Sequence, residues 1–248
     1  MNLLLITTAI VLGGLIKGLN GFGYALVSTS LLTLIMPPQE AVALMIIPVI
    51  LANIELTAKL SIKEVKACLE RFKSYITGVF FGVTAGMLLI DYMPQTLLKK
   101  AVGLLVLLFV ASRIPRIAEN FSDIKKFCVE NPKLEPVLGI LSGLVFGSSN
   151  VGVPVVAYFK ELELSRDKFL SMIALTILSA SFIRVPIAQK TGLYTGTDTI
   201  LLSTLLGLTG IVAVKTGDML AQKLPQKTIE KASLTLLVLV GLRLLGTF

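Results

Sequence analysis

Two basic residues stand inside apolar stretches of this chain, Lys17 in GGLIKGLNGFG and Arg184 in ILSASFIRVPIAQK. A cation in such a setting is suited to holding an anion: lysine acts as a compact point charge, arginine as a planar fork that pairs with an oxyanion through two hydrogen bonds. Each also has a plainer reading. Lys17 could snorkel to an interface, and Arg184, close to the polar end of its segment, could be interfacial. Neutral donors are Asn20, Ser148, Ser149 and Asn150, with Ser28 and Thr29 one or two turns on. Together they outline a polar pocket, although any one of them could be a local cap. Among the carboxylates, Glu55 in ILANIELTAKL could carry a coupling proton or pair with Lys59 one turn away, and Asp218 has the same two options with Lys215. The chain has no histidine, which removes histidine zinc sites, Ser-His triads and histidine proton relays together. Cys68 and Cys128 lie beside lysines without a CxxC spacing and read as free thiols on a reducing side. No metal, cofactor or enzyme activity is expected.

Gly, Asn and Ser interrupt the apolar run at Gly18 to Gly23 and again at Gly147 to Pro154. Glycine costs about 1 kcal/mol in a helix interior, and a broken backbone in lipid must find its partners within the protein or in a wet cavity. If a helix restarts near Gly23 and another near Gly152, two N-termini point N–H groups and partial positive charge inwards, which is a ready anion site. The predicted substrate-binding set is Lys17, Asn20, Gly21, Gly23, Ser148, Ser149, Asn150, Gly152 and Arg184, with Glu55 and Asp218 as coupling candidates. The alternative for the glycines is close helix packing, which is the preferred reading for Gly78, Gly82 and Gly86 at their four-residue spacing.

The elements that must carry these residues are membrane helices. Of 248 residues, 54% are apolar and 15% charged, and the mean hydropathy is +0.86; soluble domains run near 45–50% and about 25%. Eight apolar segments are readable, at about 3–36, 39–58, 74–90, 97–112, 137–159, 168–189, 198–222 and 228–246. The net charge of +8 sits in the short gaps between them, which is a topology signal and argues against a nucleic-acid partner. The N-terminal run lacks a basic start and a small-residue cleavage site, so it is expected to be part of the mature fold.

The chain reads as two halves, 1–112 and 137–248, joined by a basic cytoplasmic linker at 113–136. GMLLIDYMPQTLLKKA from Gly86 aligns without gaps on GDMLAQKLPQKTIEKA from Gly217, with six of sixteen positions identical. If all eight segments cross, Lys and Arg divide thirteen to nine between the two sides; if the first segment of each half re-enters instead, the division is seventeen to five. The positive-inside rule favours the second arrangement. Three crossings per half then give opposite orientations, the inverted-repeat plan of alternating access. The fold class is thus an all-α integral membrane protein with two homologous halves, each a glycine-broken or re-entrant segment followed by three transmembrane helices.

GLNGFG, GSSNVG followed by Pro154, about four segments per half, and the G-x7-P ends at Gly86–Pro94 and Gly217–Pro225 together resemble the TauE/SafE family of sulfite and organosulfonate exporters. The resemblance covers the whole chain. It departs from the family pattern at GFGYALVST, which has fewer consecutive glycines and no proline. It implies a multi-pass permease of the inner membrane that exports a small sulfur-containing anion, with the family's motif positions falling on Gly18, Gly21, Gly23, Gly147, Gly152 and Pro154. A passive anion channel is the alternative function, and an intramembrane enzyme a more distant one. A homodimer is one option for assembly.

Overall fold

The computed structural model describes residues 2–58, 61–114, 131–162, 164–194 and 197–247, with the side chains at 55, 56, 58, 166, 167, 197 and 226 also outside the described set. Most of the basic linker, Cys128 and the Glu55 carboxylate therefore lie outside the described residues.

Every regular element among the described residues is helical, as expected where lipid leaves each backbone polar group to be satisfied within its own segment. The first apolar segment divides into α1 (Leu3–Asn20) and α2 (Tyr24–Ile35), and the second into α3 (Pro38–Leu44) and α4 (Ile46–Ala58). The basic loop contains α5 (Ile62–Arg71), which hydropathy alone passes over. Its start is legible as a capping box: Ser61 Oγ accepts the Glu64 N–H at 3.3 Å while Glu64 Oε2 accepts the Ser61 N–H at 2.9 Å. α6 (Lys73–Leu89) and α7 (Gln95–Ala111) follow. Beyond the linker, α8 (Glu135–Ser149) and α9 (Val153–Lys160) replace the fifth segment, then come α10 (Arg166–Lys190), α11 (Thr197–Ala221) and α12 (Gln226–Leu245).

Four stretches are long and apolar enough to cross a membrane: Leu3–Asn20, Lys73–Tyr92, Lys168–Lys190 and Asp198–Ala221. Tyr24–Ile35, Pro38–Ile54 and Glu135–Ser149 are apolar but shorter than the roughly 20 residues a spanning helix needs. In the first segment the chain doubles back. The Ser28 hydroxyl donates to the Ala9 carbonyl at 3.1 Å, and Gly13 abuts Tyr24 and Ser28, so α2 runs antiparallel beside α1.

Helices from the two ends of the chain interleave. α1 packs on α11, α4 on α10, α6 on α8, and α7 on α12. Small residues make the closest of these contacts possible. On α6 a Cβ at Gly78, Gly82 or Gly86 would collide with the carbonyls of Pro136, Ile140 or Leu144, and Gly139, Gly143 and Gly147 of α8 meet the carbonyls of Tyr75, Val79 and Val83 in return. The packing expected for Gly78, Gly82 and Gly86 is therefore present. It also corrects the extent of the interruptions: Gly18 and Gly147 lie within α1 and α8 as packing residues, Gly18 against Val214 and Gly217 of α11. The breaks themselves are confined to Gly21–Gly23 and Asn150–Gly152.

Candidate functional site

The first break follows from glycine chemistry. Gly21 and Gly23 take φ of +82° and +100°, a region where a side chain costs roughly 1–2 kcal/mol. The Gly21 N–H closes α1 on the Lys17 carbonyl at 2.6 Å, and Gly23 then starts α2. At the second break Asn150 takes φ +60°, the non-glycine residue with positive φ among the described residues. Its side chain is what holds it there: Nδ2 donates to Thr29 Oγ1 at 3.2 Å and to the Val42 carbonyl at 3.0 Å. Gly152 then starts α9, with Pro154 in its first turn. The residues that start α2 and α9, Gly23 and Gly152, supply no side-chain cap, so the first-turn N–H groups lack an intrahelical acceptor.

The two starts share one cavity of about 50 Å³. Gly21, Gly23 and Tyr24 line it from the first break, Asn150, Gly152 and Val153 from the second, and Lys17 and Asn53 supply its other polar groups. The rest of the wall is apolar, from Val49 of α4, Phe109 of α7, and Leu170, Ile173 and Ile177 of α10. Lys17 is 4% exposed, and its ammonium donates to Asn53 Oδ1 at 2.8 Å. Asn53 is oriented in turn by its own Nδ2, which donates to the Val49 carbonyl at 2.7 Å. Lys17 therefore does not snorkel. It is held across the fold, 36 residues from its partner. An ammonium and two uncapped helix starts thus border one small, mostly apolar cavity. The volume suits a few waters or one small oxyanion, well below the roughly 300 Å³ at which drug-sized pockets begin.

Of the residues expected from the sequence, Lys17, Gly21, Gly23, Asn150 and Gly152 meet here. Asn20 lines an adjoining cavity and donates to Ser233 Oγ at 3.0 Å. Ser148 and Ser149 do not line the cavity. Each turns its hydroxyl back on its own helix, Ser148 to the Leu144 carbonyl at 2.8 Å and Ser149 to the Val145 carbonyl at 2.6 Å, so the local alternative holds for both.

Arg184 does not line the cavity either. It is wholly buried, which rules out the interfacial reading, and its guanidinium lies 4.9 Å from the Phe146 ring centroid. None of its three side-chain nitrogens has a hydrogen-bond partner among the described residues. Asp218 is exposed towards the end of α11, away from the cavity, and the Glu55 side chain falls outside the described residues. Among those residues no three cysteines, aspartates or glutamates gather as a metal site.

Among the cavity residues that sequence reasoning missed are Asn53, Phe22 and Phe109. Asn53 carried a signal, an amide inside the apolar stretch ILANIELTAKL. Phe109 carried none, being ordinary in an apolar helix, and Phe22 stood inside the glycine interruption without a polar group to mark it.

The family model described as sulfite exporter TauE/SafE matches residues 6–244. Neither a curated protein nor a solved structure matches the chain. With helical architecture, membrane-length apolar helices and a match over nearly its whole length, the chain belongs to the TauE/SafE sulfite exporter family, a family of membrane transporters and not of enzymes.

Proposed function

We propose that this protein is a multi-pass permease of the plasma membrane that exports a small anion, sulfite or an organosulfonate, by alternating access, with the anion held between the two helix breaks. The observation that carries the reading is the shared cavity: both breaks and the buried Lys17 line it, although they come from distant parts of the chain. An anion leaving water loses hydration that a low-dielectric wall cannot replace. Here the Lys17 ammonium and two helix starts offset that loss, and charge attraction is stronger at low effective dielectric than in water.

Two further observations support the alternating mechanism. The stretches at 86–101 and 217–232 repeat in sequence. The helix pairing is reciprocal as well: α1 and α8, which lead into the breaks, pack on α11 and α6, whose last residues open those repeated stretches. Halves related in this way can exchange inward and outward roles around a fixed site.

Arg184 enters the reading as an anion contact of the opposite state. A buried guanidinium without a hydrogen-bond partner among the described residues is costly, by several kcal/mol as an order of magnitude, and it lies against Phe146, four residues before the second break. Glu55 and Asp218 stay as coupling candidates.

The test is flux into proteoliposomes, paired with a thermal-stability screen against sulfite, sulfate, thiosulfate, sulfonates and carboxylates. Saturable sulfite flux and a sulfite-dependent rise in Tm support the reading. Conductance without saturation would make the protein a channel, and failure of every anion to stabilise it would remove the anion site.

A further inference from the structure

A second cavity, of about 270 Å³, lies against the first and shares Phe22, Gly23, Leu26 and Phe109 with it as a common wall. Its polar lining is Asn20, Arg113, Glu230 and Ser233. Glu230 is exposed and Arg113 half-buried, so this cavity opens outwards, whereas Lys17 beyond the wall is enclosed.

The wall is aromatic and carries a cation. Phe22 and Phe109 meet edge to face, with centroids 6.0 Å apart and planes at 83°. The Arg113 guanidinium lies 4.9 Å from the centroid of each ring, fastening the pair from the outer side. Phe22 is mounted between the two positive-φ glycines of the first break, where the backbone has the widest choice of conformations. A guanidinium over a ring face is held less strongly than one paired with an oxyanion by charge-assisted hydrogen bonds. An oxyanion in the outer cavity therefore competes successfully for Arg113. Glu230 opposes the same anion at the mouth, which keeps binding there weak enough for onward passage.

We propose that Arg113, with Asn20 beside it, is an outer binding station for a small oxyanion, and that an oxyanion arriving there draws the guanidinium off Phe22 and Phe109 and frees the way to the inner cavity. The proposal rests on the reading of the inner cavity as an anion site.

The test uses the full chain in proteoliposomes with sulfite under anaerobic conditions. Arg113→Gln is expected to lower kcat/KM for sulfite flux about tenfold, and Glu230→Gln to raise it about two- to threefold, as expected for charges that steer an ionic ligand. Both differences should shrink as salt screens the outer cavity. Arg113→Lys, which keeps the charge but loses the planar fork, should fall between Arg113→Gln and wild type. The opposite direction of the Glu230 variant separates the proposal from simple loosening of the fold. Unchanged kcat/KM in Arg113→Gln, or no gain in Glu230→Gln, while Lys17→Ala abolishes wild-type flux, overturns the outer station alone. A wild type that neither transports sulfite nor is stabilised by it overturns the inner site and the station together.

Discussion

The two helix breaks solve one problem by different means. Each must end a helix and start another away from water; the first does so by removing the Cβ, at Gly21 and Gly23, and the second by tying down a side chain, at Asn150. The glycine break carries Phe22, part of the aromatic wall between the two cavities. The asparagine break is fastened to α2 through Thr29 and to α3 through Val42. The contrast predicts movement at the first break and anchorage at the second. It also explains why the charged partner of the cavity, Lys17, sits one turn before the glycine break, on a helix whose far side is locked by Gly14 and Gly18 against α11.

The comparison can be broken at four places. The largest effect belongs to Lys17→Ala, which leaves the two helix starts without their cation; sulfite flux and the sulfite-induced Tm rise should fall about 100-fold or more in apparent affinity, consistent with a charge-assisted contact of roughly 3 kcal/mol. Retention of wild-type sulfite affinity would make the cavity incidental.

Next comes the anchor. Asn150→Ala removes two buried hydrogen bonds and keeps a positive-φ side chain, so it should destabilise by about 2–4 kcal/mol in a detergent unfolding series, and Asn150→Gly, which relieves the backbone, should recover about 1 kcal/mol of that. Equal losses in the two variants would show that backbone conformation contributes nothing there.

Third is the hinge. At Gly23 a Cβ would sit 3.7 Å from Ile16, in ordinary contact, so Gly23→Ala tests conformation alone and should cost about 1–2 kcal/mol. Its effect on flux should exceed its effect on Tm if this break is the one that moves; proportionate effects would remove that distinction. The smallest effect is at Ser148, whose hydroxyl serves its own helix. Ser148→Ala should stay within about 0.5 kcal/mol and leave flux within about twofold, and a larger loss of flux would return it to the site.

The membrane class, the segment order and the two interruptions were legible in the sequence because hydropathy, glycine and proline act over one or two helical turns. The four-residue spacing of Gly78, Gly82 and Gly86 also announced a packing face. Less legible was α5, because a polar surface helix has no hydropathy peak, although Ser61 and Glu64 mark its start. For Ser148 and Ser149 the sequence left pocket and local bond both open: a hydroxyl in a helix has its own i−4 carbonyl within reach, and the sequence does not say whether it uses it.

From the sequence alone came a helical membrane protein of this family with two weak points in its helices, since those properties are local sums over the chain. Which polar groups meet was decided by the tertiary structure. Asn53 reaches Lys17 across 36 residues, Asn150 reaches Thr29 across 121, and Arg184 is carried to Phe146 and away from the cavity. Such meetings depend on how whole helices pack and rotate against one another, and that is set by contacts such as the glycine faces of α6 and α8, which lie far along the chain from the groups they bring together.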